Sequence, residues 1–313
     1  LIPNPSANHR RGLEPAQVDA FGPEGVMTAR RYLDLCPRHR ATSLIGLPQL
    51  ARSLGIGGVL IKNEGERLGL QSFKALGGAY AVIRLFHELA EQKLQRNVKL
   101  DEIFSAPVQA IARTQTVACA TDGNHGRSVA AGAALLGCRA VIYVHASVSG
   151  PRIEAIRALG AQIVRVDGQY DDAVAQSMED CRIHDWRLVS DTSWEGYEHT
   201  PGIVMQGYAV SADETLEQLA DRKIRATHVL LQAGVGGFAA AIAAHFEVRL
   251  GSRRPLVIVV EPDRAAGVLR SVQAARRVRI AHGEPTVMSM LECFEPSLLA
   301  LRVLERCADA FLA

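Results

Sequence analysis

The sequence lacks an excess of charge of either sign. Its 313 residues include 35 Lys and Arg against 33 Asp and Glu, a formal net charge of +2. No stretch gathers the basic residues into a stripe that would follow a phosphate backbone, so we expect no nucleic-acid partner. Hydrophobic residues make up 48% of the chain and charged residues 22%, which is typical of a globular protein and excludes disordered and coiled-coil classes.

The chain also lacks a hydrophobic run of the roughly 18 residues that a membrane span needs. Its first five residues, Leu-Ile-Pro-Asn-Pro, do not have the charged-then-apolar layout of a secretory signal. The cysteines form no CxxC pair and have no histidine at zinc-ligand spacing. We therefore expect a cytoplasmic protein with no membrane partner and no metal. The six cysteines, which we expect to be small buried residues, are Cys36, Cys119, Cys138, Cys181, Cys293 and Cys307.

From Val59 onward, short runs of β-forming residues alternate with longer stretches of helical periodicity. This alternation predicts an α/β protein with mainly parallel strands. A helix is predicted over residues 72–89, followed by a surface loop at the polar residues 91–96. The last two strands are apolar throughout, which predicts that both of their faces are covered. The predicted strands occupy residues 59–62, 117–121, 140–144, 163–166, 186–189, 227–231 and 256–260.

The chain is longer than one compact core usually is, so we expect two domains. The predicted small domain, residues 76–194, is inserted into a large domain formed by residues 1–75 and 195–313. The predicted active site lies between the two.

A glycine-rich turn, Gly234–Gly237, ends a predicted strand and begins a helix. Such a turn lets backbone N–H groups approach an anion at the positive end of the helix dipole, as in a phosphate site. Its spacing with Ala239 also satisfies a loose dinucleotide fingerprint, and Glu261 ends the next strand, where dinucleotide-binding folds place a ribose-binding acid. A dinucleotide site, another phosphate site and a tight packing turn all remain open from this motif alone.

A lysine, Lys74, lies in the predicted first helical turn of the segment Ser-Phe-Lys-Ala-Leu-Gly-Gly. A cofactor aldehyde reacts only with a neutral amine, and a helix N-terminus together with partial burial lowers the pKa of a lysine. The alternative is an ordinary solvated lysine.

Two further polar segments follow predicted strands. In the first, Asp122 and Asn124 lie beside glycines that allow a flat ligand to approach, although the same residues are typical of a simple turn. We expect the adjacent His125 to be a packing residue. In the second, Asp191 is either an acid–base or substrate-binding group, or a cap of a turn or helix. Both segments lie where open α/β sheets bind ligands.

Taken together, these segments resemble the diaminopropionate ammonia-lyases, pyridoxal-phosphate enzymes of the tryptophan-synthase-β fold type. The resemblance covers nearly the whole chain from Pro5. Its most specific parts are the Lys74 segment, Thr-Asp-Gly-Asn-His-Gly-Arg from residue 121, Asp-Thr-Ser-Trp-Glu-Gly-Tyr from residue 191 and Met-Gln-Gly-Tyr from residue 205. Asp122 and the Trp-Glu-Gly-Tyr residues distinguish this pattern from serine/threonine dehydratases, which usually carry serine at the position of Asp122.

The resemblance implies two open, mainly parallel sheets flanked by helices, a large domain that binds pyridoxal 5′-phosphate, and a homodimer. It implies α,β-elimination of 2,3-diaminopropionate, as either enantiomer, to pyruvate and ammonia. Lys74 would bind the cofactor as a Schiff base, while Lys74 and Asp122 serve as bases on opposite faces and Asp191 orients the substrate or assists proton transfer. The implied cofactor-binding residues are Phe73, Lys74, Asn124, Gly234, Val235, Gly236 and Gly237.

Two departures from the family pattern stand out. In the family, the stretch that corresponds to residues 288–296 ends Cys-Gly-Glu-Pro. This chain has Phe294 in place of that glycine. Chains of the family also continue beyond the position of Ala313 with a segment that supplies the partner of the pyridine nitrogen, so we assign no such partner here.

Three alternatives stay open at this point. The nearest is a serine/threonine dehydratase or β-replacement enzyme of the same fold, which the presence of Asp122 disfavours. A more distant alternative is an NAD-binding oxidoreductase, based on the Gly234–Gly237 turn and Glu261. The third is a non-catalytic, ligand-sensing relative, for which Phe294 is the main support.

Overall fold

The ten strands of the computed structural model, which describes residues 1–313, form three sheets. The strands are β1 (Ile2–Pro3), β2 (Leu44–Gly46), β3 (Leu60–Lys62), β4 (Thr116–Ala120), β5 (Arg139–His145), β6 (Gln162–Val166), β7 (Arg187–Leu188), β8 (His228–Gln232), β9 (Leu256–Val260) and β10 (Ala310–Leu312). One sheet has the order β6-β5-β4-β7 and is entirely parallel. A second has the order β1-β10-β9-β8, with only β1 antiparallel. Strands β2 and β3 pair separately, and the predicted α/β class with two mainly parallel sheets is confirmed.

Twelve α-helices surround these sheets, and proline or glycine marks several of their ends. Proline lies in the first turn of five of them, where its missing N–H costs nothing. The helices are α1 (Pro15–Phe21), α2 (Pro23–Leu33), α3 (Pro48–Leu54), α4 (Lys74–Leu94), α5 (Ala106–Arg113), α6 (Asn124–Leu136), α7 (Gly150–Arg157), α8 (Tyr170–His184), α9 (His199–Asp221), α10 (Gly237–Leu250), α11 (Gly267–Gln273) and α12 (Leu298–Cys307). None is long and apolar enough to cross a bilayer.

Strand β4 lies in the middle of the β4–β7 sheet and is buried along its whole length. Val117 and Cys119 face the main core, to which α6 contributes, while Ala118 and Ala120 face a smaller cluster that includes Ala173 of α8. Helices thus cover both faces, which is why the strand has no polar alternation.

The sheet that contains β8 and β9 is covered on one face only, so the prediction of two covered faces was wrong. Leu231 and Val259 are buried on the side where α10 packs. On the other side, Leu230 is 63% exposed and Leu256 is 42% exposed. Continuous apolar character therefore did not report burial on both faces in these strands.

Helix α4 is longer than predicted and packs against both α6 and α9. The predicted surface loop at 91–96 is wrong over its first four residues, because the helix continues to Leu94, which packs against the core. It ends where Gln95 adopts a left-handed conformation, with φ of 53°. The predicted domain boundary between residues 75 and 76 falls in the first turn of this helix and stays a prediction.

Glu261 follows β9 and caps the start of α11. Its two carboxylate oxygens accept hydrogen bonds from the N–H groups of Val268 and Leu269, each at 2.8 Å. Burial raises the pKa of Glu261 to about 7, although these two hydrogen bonds oppose the shift. Both oxygens accept from the start of α11 and the residue is only 3% exposed, which disfavours a ribose-binding role and with it the dinucleotide alternative.

We expect Glu261→Gln to change how stability depends on pH. In the wild type, ionisation of Glu261 begins near pH 4.5 in the unfolded chain but only near pH 7 in the folded protein. Stability is therefore lost as the pH rises through this range, by about 3 kcal/mol in total. Urea unfolding of both proteins between pH 4 and 8 measures the effect. The prediction would be contradicted if the difference in the free energy of unfolding between the wild type and the variant did not vary with pH.

Candidate functional site

Seven segments of the chain meet in one cleft with a volume of about 820 Å³. The cleft lies at the carboxyl ends of β4 and β8, where parallel sheets bind ligands. All nine site residues predicted from the sequence line it, so the structure brings them together: Phe73, Lys74, Asp122, Asn124, Asp191, Gly234, Val235, Gly236 and Gly237.

Lys74 is the first residue of α4 and forms an ion pair with Asp191. The ammonium nitrogen Nζ contacts the carboxylate oxygen Oδ2, and the two side chains are 22% and 9% exposed. Asp191 lies in the loop after β7, so the pair joins segments more than a hundred residues apart in sequence. This contact supports a role for Asp191 in the site rather than as a turn cap.

The expected lowering of the Lys74 pKa does not occur in this pair. Burial lowers the pKa of Lys74, as the sequence suggested, but the adjacent Asp191 carboxylate outweighs burial and holds that pKa above its ordinary value. Burial raises the pKa of Asp191, and the Lys74 ammonium then brings it below its usual range. Lys74 is therefore cationic beside Asp191 and must lose a proton before it can act as a nucleophile.

Asp122 lies two residues beyond the end of β4, beside Gly123, whose φ of +147° is poorly accessible to other residues. Its oxygen Oδ1 is 2.7 Å from Nε2 of His145, the last residue of β5. The other oxygen, Oδ2, makes no hydrogen bond within the protein and is free to accept a proton in the cleft.

Asn124 and His125 begin α6 and differ in how their polar atoms are used. The Asn124 amide lines the cleft and makes no side-chain hydrogen bond within the protein. His125 Nε2 donates to the backbone oxygen of Val189 at 2.7 Å, and burial lowers the His125 pKa, so the ring is neutral. Thr121 fixes the turn because its Oγ1 accepts from the N–H groups of Gly123 and Gly126.

The Gly234–Gly237 turn presents free backbone donors to the cleft. Helix α10 begins at Gly237, with Gly236 before it in a left-handed conformation and no side-chain cap. The N–H groups of residues 236–239 donate to no acceptor within the protein. Four unpaired donors at a helix N-terminus form a site suited to a phosphate.

Packing also requires these glycines, so the packing alternative holds in part. A Cβ at Gly236 would lie 3.3 Å from Ala300 and Leu304 of α12, and φ there is +92°. A Cβ at Gly234 would lie 2.9 Å from the Cys293 sulfur. The turn therefore both offers its amides and lets α12 approach closely.

The cleft has 22 lining residues, of which 13 were not predicted as site residues, among them Tyr170, Tyr208 and Cys293. Tyr170 begins α8 at the carboxyl edge of the sheet, so the rule that ligands bind at this edge could have identified it. Tyr208 lies on the buried face of α9, is 2% exposed and leaves its hydroxyl without a partner. Burial raises the pKa of the Cys293 thiol to about 12, which keeps it protonated. Their sequence segments gave no sign of an unpaired polar group.

The chain matches a family model described as "Pyridoxal-phosphate dependent enzyme" over residues 35–313. It is 37% identical over 294 residues to the diaminopropionate ammonia-lyase of Escherichia coli (strain K12), covering 94% of this chain and 72% of that protein. The crystal structure of holo diaminopropionate ammonia lyase from Escherichia coli is similar, with a TM-score of 0.87 and 36% identity over 99% of this chain and 75% of that one. The crystal structure of the same enzyme in complex with an aminoacrylate-PLP azomethine reaction intermediate has a TM-score of 0.85 and 35% identity. That match covers 99% of this chain and 74% of that one.

We expect Gly236→Ala to destabilise the protein more than Gly137→Ala, its matched control. Both glycines have positive φ, which costs a residue with a side chain about 1–2 kcal/mol. Only at Gly236 would the methyl group also press on α12, for an additional 1–3 kcal/mol or so. Urea unfolding of both variants checks this. Equal losses would show that the close approach of α12 is unimportant.

Proposed function

The chain belongs to the pyridoxal-phosphate-dependent enzymes and, within them, to the diaminopropionate ammonia-lyases, and on this premise we propose that it converts 2,3-diaminopropionate, as either enantiomer, to pyruvate and ammonia by α,β-elimination. The observation that carries this proposal is the arrangement of one cleft. It places a lysine paired with Asp191, a second carboxylate with a free oxygen at Asp122, and four unpaired amides around the same space.

The unpaired polar groups of the cleft fit pyridoxal 5′-phosphate. The N–H groups of residues 236–239 would hold its phosphate, and the free amide of Asn124 would donate to its phenolic oxygen without adding charge. Phe73 contributes an aromatic wall against Phe238, with ring centroids 4.2 Å apart. When bound, the cofactor supplies an electron sink that makes the α-proton of an amino acid removable.

Lys74 and Asp191 would act as a pair. The Asp191 carboxylate holds Lys74 within the cleft, and once Lys74 is neutral it can serve as the attachment point and as a base. The ammonium group of an incoming substrate would then replace the Lys74 ammonium as the cation beside the Asp191 carboxylate. Both roles need only the contact that already exists between the two side chains.

Asp122 would supply a second base. Its free oxygen Oδ2 can accept an α-proton, so the substrate C–H bond breaks and an O–H bond forms on Asp122. Removal of the β-amino group and hydrolysis then give two ammonia molecules per pyruvate. Two bases in separate positions would allow both enantiomers to react, each losing its proton to the nearer group.

The alternatives make different products or bind a different cofactor. A serine or threonine dehydratase releases one ammonia per keto acid, so the ratio of ammonia to pyruvate separates it from the lyase. An oxidoreductase would need Glu261 for a ribose, but that carboxylate caps α11. A visible absorption band that hydroxylamine removes would support pyridoxal phosphate over a dinucleotide.

We further propose a cytoplasmic location, a homodimer, and the division into a small domain at 76–194 and a large one from the flanking segments. All six cysteines are free, which suits a reducing compartment. The two four-stranded sheets draw their strands from residues 116–188 and from the flanking chain, which supports the division. Sedimentation analysis tests the dimer.

We predict that Lys74 is the residue to which the cofactor attaches covalently. It is the lysine that lines the cleft. Borohydride reduction of the cofactor-loaded protein, followed by peptide mapping, should find the pyridoxyl group on Lys74, and Lys74→Ala should abolish both the attachment and the elimination. Lys62, which pairs with Glu214 outside the cleft, is the matched control. A pyridoxyl group found on Lys62 would refute the assignment of Lys74.

We predict that Asp122→Asn separates the two enantiomers. The change keeps the size and turn-forming ability of the side chain but removes the proton acceptor. The rate with the D-isomer should fall about 10²–10⁴-fold, the usual contribution of a positioned base, whereas the rate with the L-isomer should fall much less. Separate assays of the pure enantiomers, matched for cofactor content, measure this. Equal losses would return Asp122 to the role of a turn residue.

A further inference from the structure

The topology of the parallel sheet brings His145 to Asp122. Strands β4 and β5 pair with Ala120 opposite Tyr143, and the Thr121 N–H donates to the Tyr143 carbonyl at 3.0 Å. Asp122 and His145 each lie two residues beyond that pair, so they are neighbours at the carboxyl edge of the sheet. The contact between their side chains therefore follows from the strand register and does not depend on a flexible loop.

The hydrogen bonds around His145 place a hydrogen on Nε2 and fix the orientation of the ring. Nε2 lies 2.7 Å from Asp122 Oδ1, and because a carboxylate only accepts, Nε2 carries the hydrogen. Nδ1 lies 2.9 Å from the Ser147 hydroxyl, which can donate to it. The ring also packs edge-on against Tyr170, with centroids 6.4 Å apart and planes at 88°. Its side chain is only 13% exposed.

This arrangement restricts the Asp122 carboxylate in a defined way. The hydrogen bond from His145 occupies Oδ1, which leaves Oδ2 as the oxygen that can receive a proton from a ligand. Without that donor, nothing else in the protein holds the carboxylate group, which could rotate about its terminal bond. A misplaced base loses rate steeply, since a shift of about 1 Å can cost on the order of 10²-fold.

We propose that His145 is a positioning residue that orients Asp122 as a base and thereby determines whether the enzyme accepts the D-enantiomer. The inference rests on the proposed function, in which Asp122 serves one enantiomer and Lys74 the other. His145 makes no hydrogen bond to Lys74 or to Asp191, which pair with each other. Loss of the imidazole should therefore lower the rate with the D-enantiomer, which depends on Asp122, and leave the rate with the L-enantiomer, which depends on Lys74, nearly unchanged.

The experiment compares His145→Phe with His145→Gln. Phenylalanine keeps the ring that packs on Tyr170 but removes the donor, while glutamine restores an N–H donor near Nε2. For His145→Phe we expect kcat with the D-isomer to fall about 10- to 100-fold with little change in KM, and kcat with the L-isomer to stay within about twofold. His145→Gln should recover most of the loss. His228→Phe, on the exposed face of β8, is the matched control for the substitution itself.

The outcomes separate this inference from the proposal on which it rests. Equal losses on both enantiomers, or no loss on either, would overturn the role of His145 while Asp122→Asn still distinguishes the enantiomers. A D-isomer loss that persists undiminished in His145→Gln would also overturn it, because the hydrogen bond alone would then not suffice. If Asp122→Asn itself lowers the rates with both enantiomers equally, the proposal that Asp122 and Lys74 serve different enantiomers is wrong, and the role of His145 falls with it. The cofactor absorbance of each variant verifies cofactor loading, and its thermal unfolding verifies folding. If His145→Phe does not fold, His145→Asn takes its place. Asparagine is too short to reach Asp122, so this variant should show the same selective loss of rate with the D-isomer.

Discussion

The ion pair between Lys74 and Asp191 is the interaction on which the rest of the site depends. Neither charge is well solvated in the cleft, and each stays ionised there only because the other lies against it. The pair joins the first turn of α4 to the loop after β7. The reactive lysine and the carboxylate that restrains it are thus a single structural unit. Any ligand that releases Lys74 must supply Asp191 with another positive charge.

A parallel sheet imposes the second constraint, because all its strands end at the same edge. Asp122 follows β4 and Tyr170 begins the helix after β6, so two strands of this sheet deliver cleft side chains, and His145 at the end of β5 between them contacts both. The segment after β8 in the other sheet contributes the backbone amides at the start of α10, together with the Phe238 side chain. One wall therefore supplies acid–base groups and the other supplies anion-binding groups, a division of chemistry that follows from topology.

The sequence sufficed to predict the α/β class, most strands to within one or two residues, and nine of the 22 residues that line the cleft, because these depend on local patterns and on the edge rule. It could not predict the pKa of Lys74. That value depends on Asp191, which is distant in sequence and whose contact arises only on folding. The same holds for Glu261, whose position after a strand suggested a ribose ligand until α11 was seen to use both carboxylate oxygens. The exposed outer face of β8 and β9 was missed because apolar runs do not reveal whether anything packs on each face.

Unpaired polar groups around the cleft indicate which of its residues could bind a ligand. Buried polar groups normally find partners, since leaving one unpaired costs about 1–3 kcal/mol. Glu261 is bonded to backbone groups through both carboxylate oxygens and so is explained by the fold. In contrast, the amides of residues 236–239 and the Tyr208 hydroxyl have no partner, and they lie around one cleft. Unpaired donors concentrated in one place are a cost that folding alone does not offset, and a bound anion would offset it.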